Sequence, residues 1–276
     1  MKQAWGLVLG ILVLLLSGCG TAVETPRTVT APVGRDDWYR AGHQYYLESK
    51  YDSAVVLLQR AQKMDSTYMD PVRDLAQAEY EWAMQSPEKS RERAGHLRAA
   101  RTYFVRLEQL GERASEIYER LCEISITLND DRSFVRYAKK NADIYPYDRQ
   151  LFNLARAYFE VEDFQSVIKS AKESLERFKG SPYTSSFYRL LGRSYMKIGR
   201  DQTAEKSLAA GVREADARLA ELRKQGSSTL LADQIRRTRD DKINMLLALK
   251  QLHTTYKADD KLRQVERQLK EEGYDK

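Results

Sequence analysis

The chain has little of the chemistry that builds an active site. Its three histidines, His43, His96 and His253, are scattered over 276 residues, and none has a second histidine or cysteine at the spacing a metal needs. There is no Gly-x-Ser-x-Gly elbow, phosphate loop, Gly-x-Gly-x-x-Gly turn or zinc-hydrolase motif. Carboxylates do occur in pairs, at Asp36-Asp37, Asp130-Asp131, Asp240-Asp241 and Asp259-Asp260. These fall at expected helix starts or turns, where they complement the helix dipole rather than form a catalytic couple. No catalytic residue, metal or cofactor is therefore expected. No alternating polar and apolar run is long enough to argue for a sheet, and 6 prolines against 31% charged residues suit a helical protein.

What is present is a repeated helical unit. Between Tyr188 and Gly211 the chain reads Tyr188-x2-Leu191-Gly192-x2-Tyr195, then Gly199, then Ala204-x3-Leu208-x2-Gly211. Large residues at i, i+3 and i+7 give one helix, Gly199 a turn, and small residues a second helix that must approach closely. The unit recurs as Leu151-x2-Leu154-Ala155-x2-Tyr158 with Phe164, Val167 and Ala171, and as Tyr118-x2-Leu121-Cys122 with Phe134 and Ala138. The first copy is Trp38-x2-Ala41-Gly42-x2-Tyr45, with Tyr51, Ala54, Leu58 and Ala61. The paired slots of these units, such as Gly42 and Ala54 or Gly192 and Ala204, are 12 residues apart, but Ala76 and Ala100 of the second unit are 24 apart. That difference reads as a 12-residue insertion, lengthening both helices and the loop at Ser86-Pro87-Glu88. This pattern resembles the tetratricopeptide repeat (TPR).

The resemblance implies an all-α, right-handed superhelix of helical hairpins. The expected organisation is a signal segment (1–18), a tether (19–34), a solenoid (35–223) and a C-terminal helical cap (224–276). The solenoid units lie near 35–68, 69–114 with the insertion, 115–147, 148–181 and 185–223. The second helix of the fifth unit runs on through Ala215, Leu219 and Leu222 until Gly226-Ser227-Ser228 breaks it. Stripes at Ile243, Leu246 and Leu247 and at Leu262, Val265 and Leu269 then make a degenerate sixth hairpin whose polar outer face closes the stack.

At the other end, Lys2 precedes an apolar run from Trp5 to Leu16, too short to span a bilayer and ending in small residues, as an export signal does. Leu16-Ser17-Gly18-Cys19 resembles the bacterial lipobox, which implies cleavage before Cys19 and its acylation. Two or more acyl chains anchor a protein in effect permanently. Gly20 rather than Asp after the cysteine resembles outer-membrane sorting, so the expected place is the cell envelope, on the outer membrane facing the periplasm. Thr21 to Gly34 lacks a helical period, and at about 3.1 to 3.5 Å per residue could reach roughly 40 to 50 Å. With Cys19 lipidated only Cys122 remains, in a packing slot, so no internal disulfide is expected. Removing Lys2 lowers the formal charge from +6 to +5. Acidic lipid headgroups or an acidic protein segment are the expected counterparts; nucleic acid is not, in an exported protein.

In TPR proteins the first helix of each unit lines the concave face. Mapped here, that puts Tyr39, His43 and Tyr46 in the first unit, and Arg73, Gln77 and Tyr80 in the second. Glu119 and Glu123 follow, then Arg149, Phe152, Arg156 and Phe159, then Arg189, Arg193, Met196 and Lys197. Arginine forks interleaved with aromatics suit a protein or peptide carrying acidic and apolar residues. The other reading of these arginines is a solvated face neutralised by Glu119, Glu123 and Glu160. They do not match the carboxylate clamp of chaperone-binding TPR proteins, of which only Asn153 is suggestive. Phe178 to Tyr195 is similar to the TPR lipoprotein of the outer-membrane β-barrel assembly machine, and the layout to pilot lipoproteins of type IV pilus secretins. A non-catalytic scaffold for envelope assembly is the first expectation. An adaptor of peptidoglycan enzymes is the alternative, and an enzyme or small-ligand receptor the third class. Oligomeric state is open, with the long helix from Asp201 to Gln225 as a candidate surface.

Overall fold

The computed structural model describes residues 34–225 and 228–274. The expected signal segment, Cys19, and the tether up to residue 33 lie outside the described residues, as do Gly226 and Ser227 of the expected break. Twelve helices and no strand occur among the described residues, in an all-α helical-repeat superhelix. They pair as α1 (Arg35–Leu47) with α2 (Tyr51–Met64), α3 (Met69–Gln85) with α4 (Arg91–Gln109), and α5 (Ser115–Thr127) with α6 (Asp131–Ile144). Then come α7 (Asp148–Glu160) with α8 (Phe164–Arg177), α9 (Thr184–Lys197) with α10 (Asp201–Leu222), and α11 (Thr229–Thr255) with α12 (Asp259–Glu271).

The local chemistry of each hairpin explains its shape. Apolar or small residues recur on one stripe, as Phe134, Tyr137, Ala138, Asn141 and Ala142 do on α6, all buried. Burying a side chain the size of Phe134 stabilises the fold by about 1.5–3 kcal/mol. Asp130 and Asp163 cap α6 and α8, each carboxylate accepting the backbone N–H three residues on, both at 3.1 Å. The odd-numbered helices mostly end in one motif: Lys50, Asp130, Asp163, Arg200 and Ala258 each donate an N–H back five residues, to Tyr45, Ser125, Tyr158, Tyr195 and His253. That closure requires a left-handed residue just before the donor. Only Gly199 (φ 72°) meets it without strain, while Ser49, Asn129, Glu162 and Lys257 sit at φ of 51° to 59° with side chains attached.

Close approach fixes the packing slots. A Cβ at Gly192 would lie 2.5 Å from the Leu208 side chain, and one at Gly42 2.8 Å from Leu58. Gly211 lets α10 meet two helices at once, since a Cβ there would come within 2.4 Å of Met245 Sδ and 2.5 Å of Tyr188 Cβ. Cys122 fills the same slot on α5, where burial pushes its thiol up to about 12, far from a reactive thiolate. In the second hairpin the extra residues lengthen α3 to 17 and α4 to 19, against 13 and 14 in the first pair. The added turns are joined by a largely buried pair, His96 Nδ1 2.6 Å from Glu79, with Trp82 stacked 4.0 Å over the imidazole.

The backbone of α1 comes close to that of α3, α7 to α9 and α9 to α11, whereas even-numbered helices meet only through long side chains, such as Lys140 with Glu108 and Gln59 with Tyr103. The odd-numbered layer is thus the inside of the curve. At the C-terminal end α10 and α11 extend to 22 and 27 residues, and α12 lays Val265 and Leu269 against the core. A buried ammonium holds this end together: Lys242 meets Asp216 at 2.6 Å and Glu272 at 2.5 Å. Burial alone would lower its pKa, but the two carboxylates raise it, so it stays charged.

The turn geometry gives a test with opposite signs. Glu162→Gly should raise the free energy of unfolding by about 1 kcal/mol and Gly199→Ala should lower it by about the same. Chemical denaturation measures each single variant; unchanged midpoints in both would refute the left-handed closures.

Candidate peptide groove

The inner face changes character along its length. At its start α1 projects Tyr39, His43 and Tyr46 towards α3. His43 Nδ1 lies 2.6 Å from Asp74, Tyr39 packs edge-on against Tyr68 at 5.4 Å, and Tyr46 sits 6.3 Å from the His43 ring. Burial, with the Asp74 and Asp70 charges adding, pushes the Tyr39 phenol up to about 12. Burial also raises the Asp74 carboxyl. These are half-buried rings with a fixed polar centre, able to receive an apolar or aromatic residue.

In the middle, α3 and α5 carry 2 basic residues against 7 acidic ones. Arg73 is held by Glu112 (3.0 Å) and Asp70 (2.8 Å), and Arg120 by Glu123 (2.8 Å) while stacked 4.5 Å over Tyr80. Beyond them α7 and α9 reverse the sign, with Arg149, Arg156, Arg189, Arg193 and Lys197 against Asp148 and Glu160. The groove is bipolar.

The four arginines expected to offer forks fall into two classes. Arg149 is paired with Glu119 at 2.9 Å, and Arg189 donates from Nε to Asp241 at 2.6 Å. Arg189 is thus tied into the fold against α11, while Arg149 reaches the groove half exposed and already paired, so neither offers the open fork that the sequence suggested. Arg156 and Arg193 have no carboxylate at ion-pair distance among the described residues. Each instead lies over a ring, Arg156 5.7 Å from the centroid of Phe134 and Arg193 4.8 Å from that of Phe159. Surrounding protein, then the neighbouring Arg189 charge, holds the Arg193 pKa below its usual value. Phe152 is stacked on Tyr183 at 5.2 Å and set edge-on to Phe187, and Phe159 is edge-on to Phe164. Met196 is half-buried beside this cluster, and Lys197 is exposed at the end of α9.

Sequence reasoning missed two parts of this end. Arg237 of α11 reaches over Tyr183 at 4.9 Å and closes a cleft of about 230 Å³ whose other walls include Cys122, Phe152, Asn153 and Arg156. Asp241, expected at a helix start or turn, lies in the middle of α11 and is buried, accepting from Ser185, Ser186 and Arg189. Its signal was in the chain: Thr238, Asp241, Met245 and Leu249 share one helical face, and a lone acid on such a stripe needs a buried partner.

No protein-family model matches the chain, and no curated protein does. Solved structures do match. The TPR protein YrrB, described as having an unusual peptide-binding site, is 10% identical with a TM-score of 0.51, over 64% of this chain and 84% of that one. A structure of MamA is 12% identical with a TM-score of 0.53, over 70% and 96%. MamA AMB-1 is 18% identical with a TM-score of 0.50, over 72% and 96%. At these identities the likeness is one of fold: the chain has a TPR-type superhelix.

The Asp241 junction has a direct consequence. Asp241→Ala leaves Arg189 unpaired against α11 and should cost about 3 kcal/mol, and amide exchange should quicken across α11 and α12 while α1 to α6 keep their protection. Uniform loosening of the whole chain would contradict the local role.

Proposed function

We propose that the protein is a non-catalytic, membrane-anchored TPR scaffold lipoprotein that holds a protein or peptide partner in its inner groove during assembly of an envelope complex. The observation that carries the binding role is the pair of uncommitted guanidiniums on the adjacent inner helices α7 and α9, Arg156 set over Phe134 and Arg193 over Phe159. A guanidinium resting against an aromatic face has fewer rotamers open to it than one in free solvent, so it binds a carboxylate at lower entropic cost. Phe152, Phe159 and Met196 supply apolar contact between them, and Asn153 a hydrogen-bonding amide. YrrB, with the same fold, is described as having a peptide-binding site.

The charge along the groove refines the partner. An acidic and apolar stretch fits α7 and α9, but the carboxylates of α3 and α5 would repel its continuation. The segment that follows over those helices is neutral or basic, and an apolar or aromatic residue ends against Tyr39 and Tyr46. Localisation rests on the lipobox at Cys19 and on Gly20 beside it. The anchor and tether keep the groove within reach of membrane-bound partners.

Crosslinking capture from native envelopes tests the reading, comparing wild type with Arg156→Glu/Arg193→Glu. Both residues lie on the surface of the groove, so the double variant should keep its melting temperature. The variant's affinity for the one partner captured by wild type should fall about a hundredfold or more, as expected for loss of two charge-assisted contacts of about 1.5 kcal/mol or more each. Equal capture by a folded variant would reject the groove as the binding site.

A further inference from the structure

The two layers of the superhelix carry opposite charge. In the first four hairpins the inner helices α1, α3, α5 and α7 hold 6 Lys and Arg against 11 Asp and Glu. The outer helices α2, α4, α6 and α8 hold 14 against 7. The excess then stops: α10 carries 3 basic residues against 5 acidic, and α12 carries 4 of each. A solvated surface of mixed charge has no reason to sort its signs by layer, or to end the sorting at one hairpin.

The outer cations are also largely unspent. Arg98 on α4, Arg132, Arg136 and Lys139 on α6, and Lys169 and Lys172 on α8 are all exposed, and none has a carboxylate at ion-pair distance among the described residues. By contrast Arg73, Arg120, Arg149 and Arg189 of the inner layer are all paired. Between α4 and α6 the outer face is notched by a cleft of about 530 Å³ with Arg101, Arg106 and Arg136 on its walls and the Thr102 and Ser133 hydroxyls beside them. Asp130, the one carboxylate lining it, is taken by Arg101 at 2.9 Å. Guanidiniums and hydroxyls around a shallow opening, with their only acid neutralised, suit a phosphodiester.

We propose that the convex face of α4, α6 and α8 lies against an anionic phospholipid surface, the α4–α6 cleft taking a headgroup phosphate. A bilayer fits this face better than a compact acidic protein because the charge is spread over three parallel helices without apolar anchor residues at its centre. Each exposed cation contributes separately at such a surface, and none needs a partner of defined shape. Docked in this way, the solenoid turns its groove away from the bilayer and open to partners. The inference takes from the proposed function only that the chain is held near a membrane.

The test is amine footprinting of the full-length chain bound to vesicles of phosphatidylcholine, with or without phosphatidylglycerol. On the anionic vesicles Lys139, Lys169 and Lys172 should be acetylated about fivefold more slowly than on the neutral ones, while Lys197 of the inner layer reacts equally on both. The protection should vanish when salt rises from about 0.1 to about 1 M, as the screening length falls from about 10 to about 3 Å. It should also vanish in Arg98→Gln/Arg132→Gln/Arg136→Gln, whose three sites are exposed and whose melting temperature should be unchanged. Equal rates on both vesicles, or equal protection of Lys197, would overturn the proposal. So would a short DNA duplex that displaces the anionic vesicles while keeping the three lysines protected, because the face would then favour a soluble polyanion. Capture of a groove partner is read separately, so failure of either reading leaves the other standing.

Discussion

A hairpin of two helices about four turns long has one apolar face and nothing of its own to cover it. Everything else in this molecule follows from handing that face to the next hairpin. Before that, the two helices of each hairpin must themselves approach within side-chain contact at a fixed slot, and Gly42, Ala76, Cys122, Ala155 and Gly192 are small enough to allow it. Leu58 and Leu208 would collide with any Cβ placed at Gly42 and Gly192. The core is accordingly continuous: Tyr103 packs against the clusters of the first and middle hairpins, and Leu151 and Tyr158 against those of the middle and last.

Stacking of this kind must stop somewhere, and the end is built differently from the repeats. The chain lengthens α10 and α11 and adds polar locks to the slot packing at Gly211. Asp241 fastens α11 to α9, and Lys242 draws Asp216 and Glu272 together across three elements. The same lock shapes the groove, because pinning α11 on α9 brings Arg237 over Tyr183. It also removes Arg189 from the set of free guanidiniums, leaving Arg156 and Arg193, with Arg237 and Lys197 near them, as the basic contacts available to a partner. The groove's chemistry is thus partly set by a helix that lies outside the regular repeats.

The all-α repeat was legible because its signals are local: small residues 12 apart, a turn between them, and large residues at helical spacing. The candidate site was legible only in part. Register alone places Arg149, Arg156, Arg189 and Arg193 on inner helices, but whether each is free depends on carboxylates as far as 52 residues away, such as Asp241 for Arg189. Asp240-Asp241 read as a helix start because paired acids favour that position, and a continuous α11 overrode the preference with a buried network. The division of charge between layers could be counted from the sequence only once the helices were assigned alternately to inside and outside. It then bears on function, since the acidic inner face of α3 and α5 narrows the partner that a basic stretch on α7 and α9 would otherwise suggest.

The central claim is that the two layers face different surroundings, a polypeptide inside and lipid outside. A photo-crosslinking side chain placed at Asn153, beside Arg156 in the groove, and in a second variant at Thr102, on the α4–α6 cleft, measures this directly in intact cells. A discrete protein adduct from position 153 and a lipid adduct from position 102 are expected. A protein adduct from position 102 with none from 153 would contradict the account, because the partner would then sit on the convex layer and the groove would be only a solvated face.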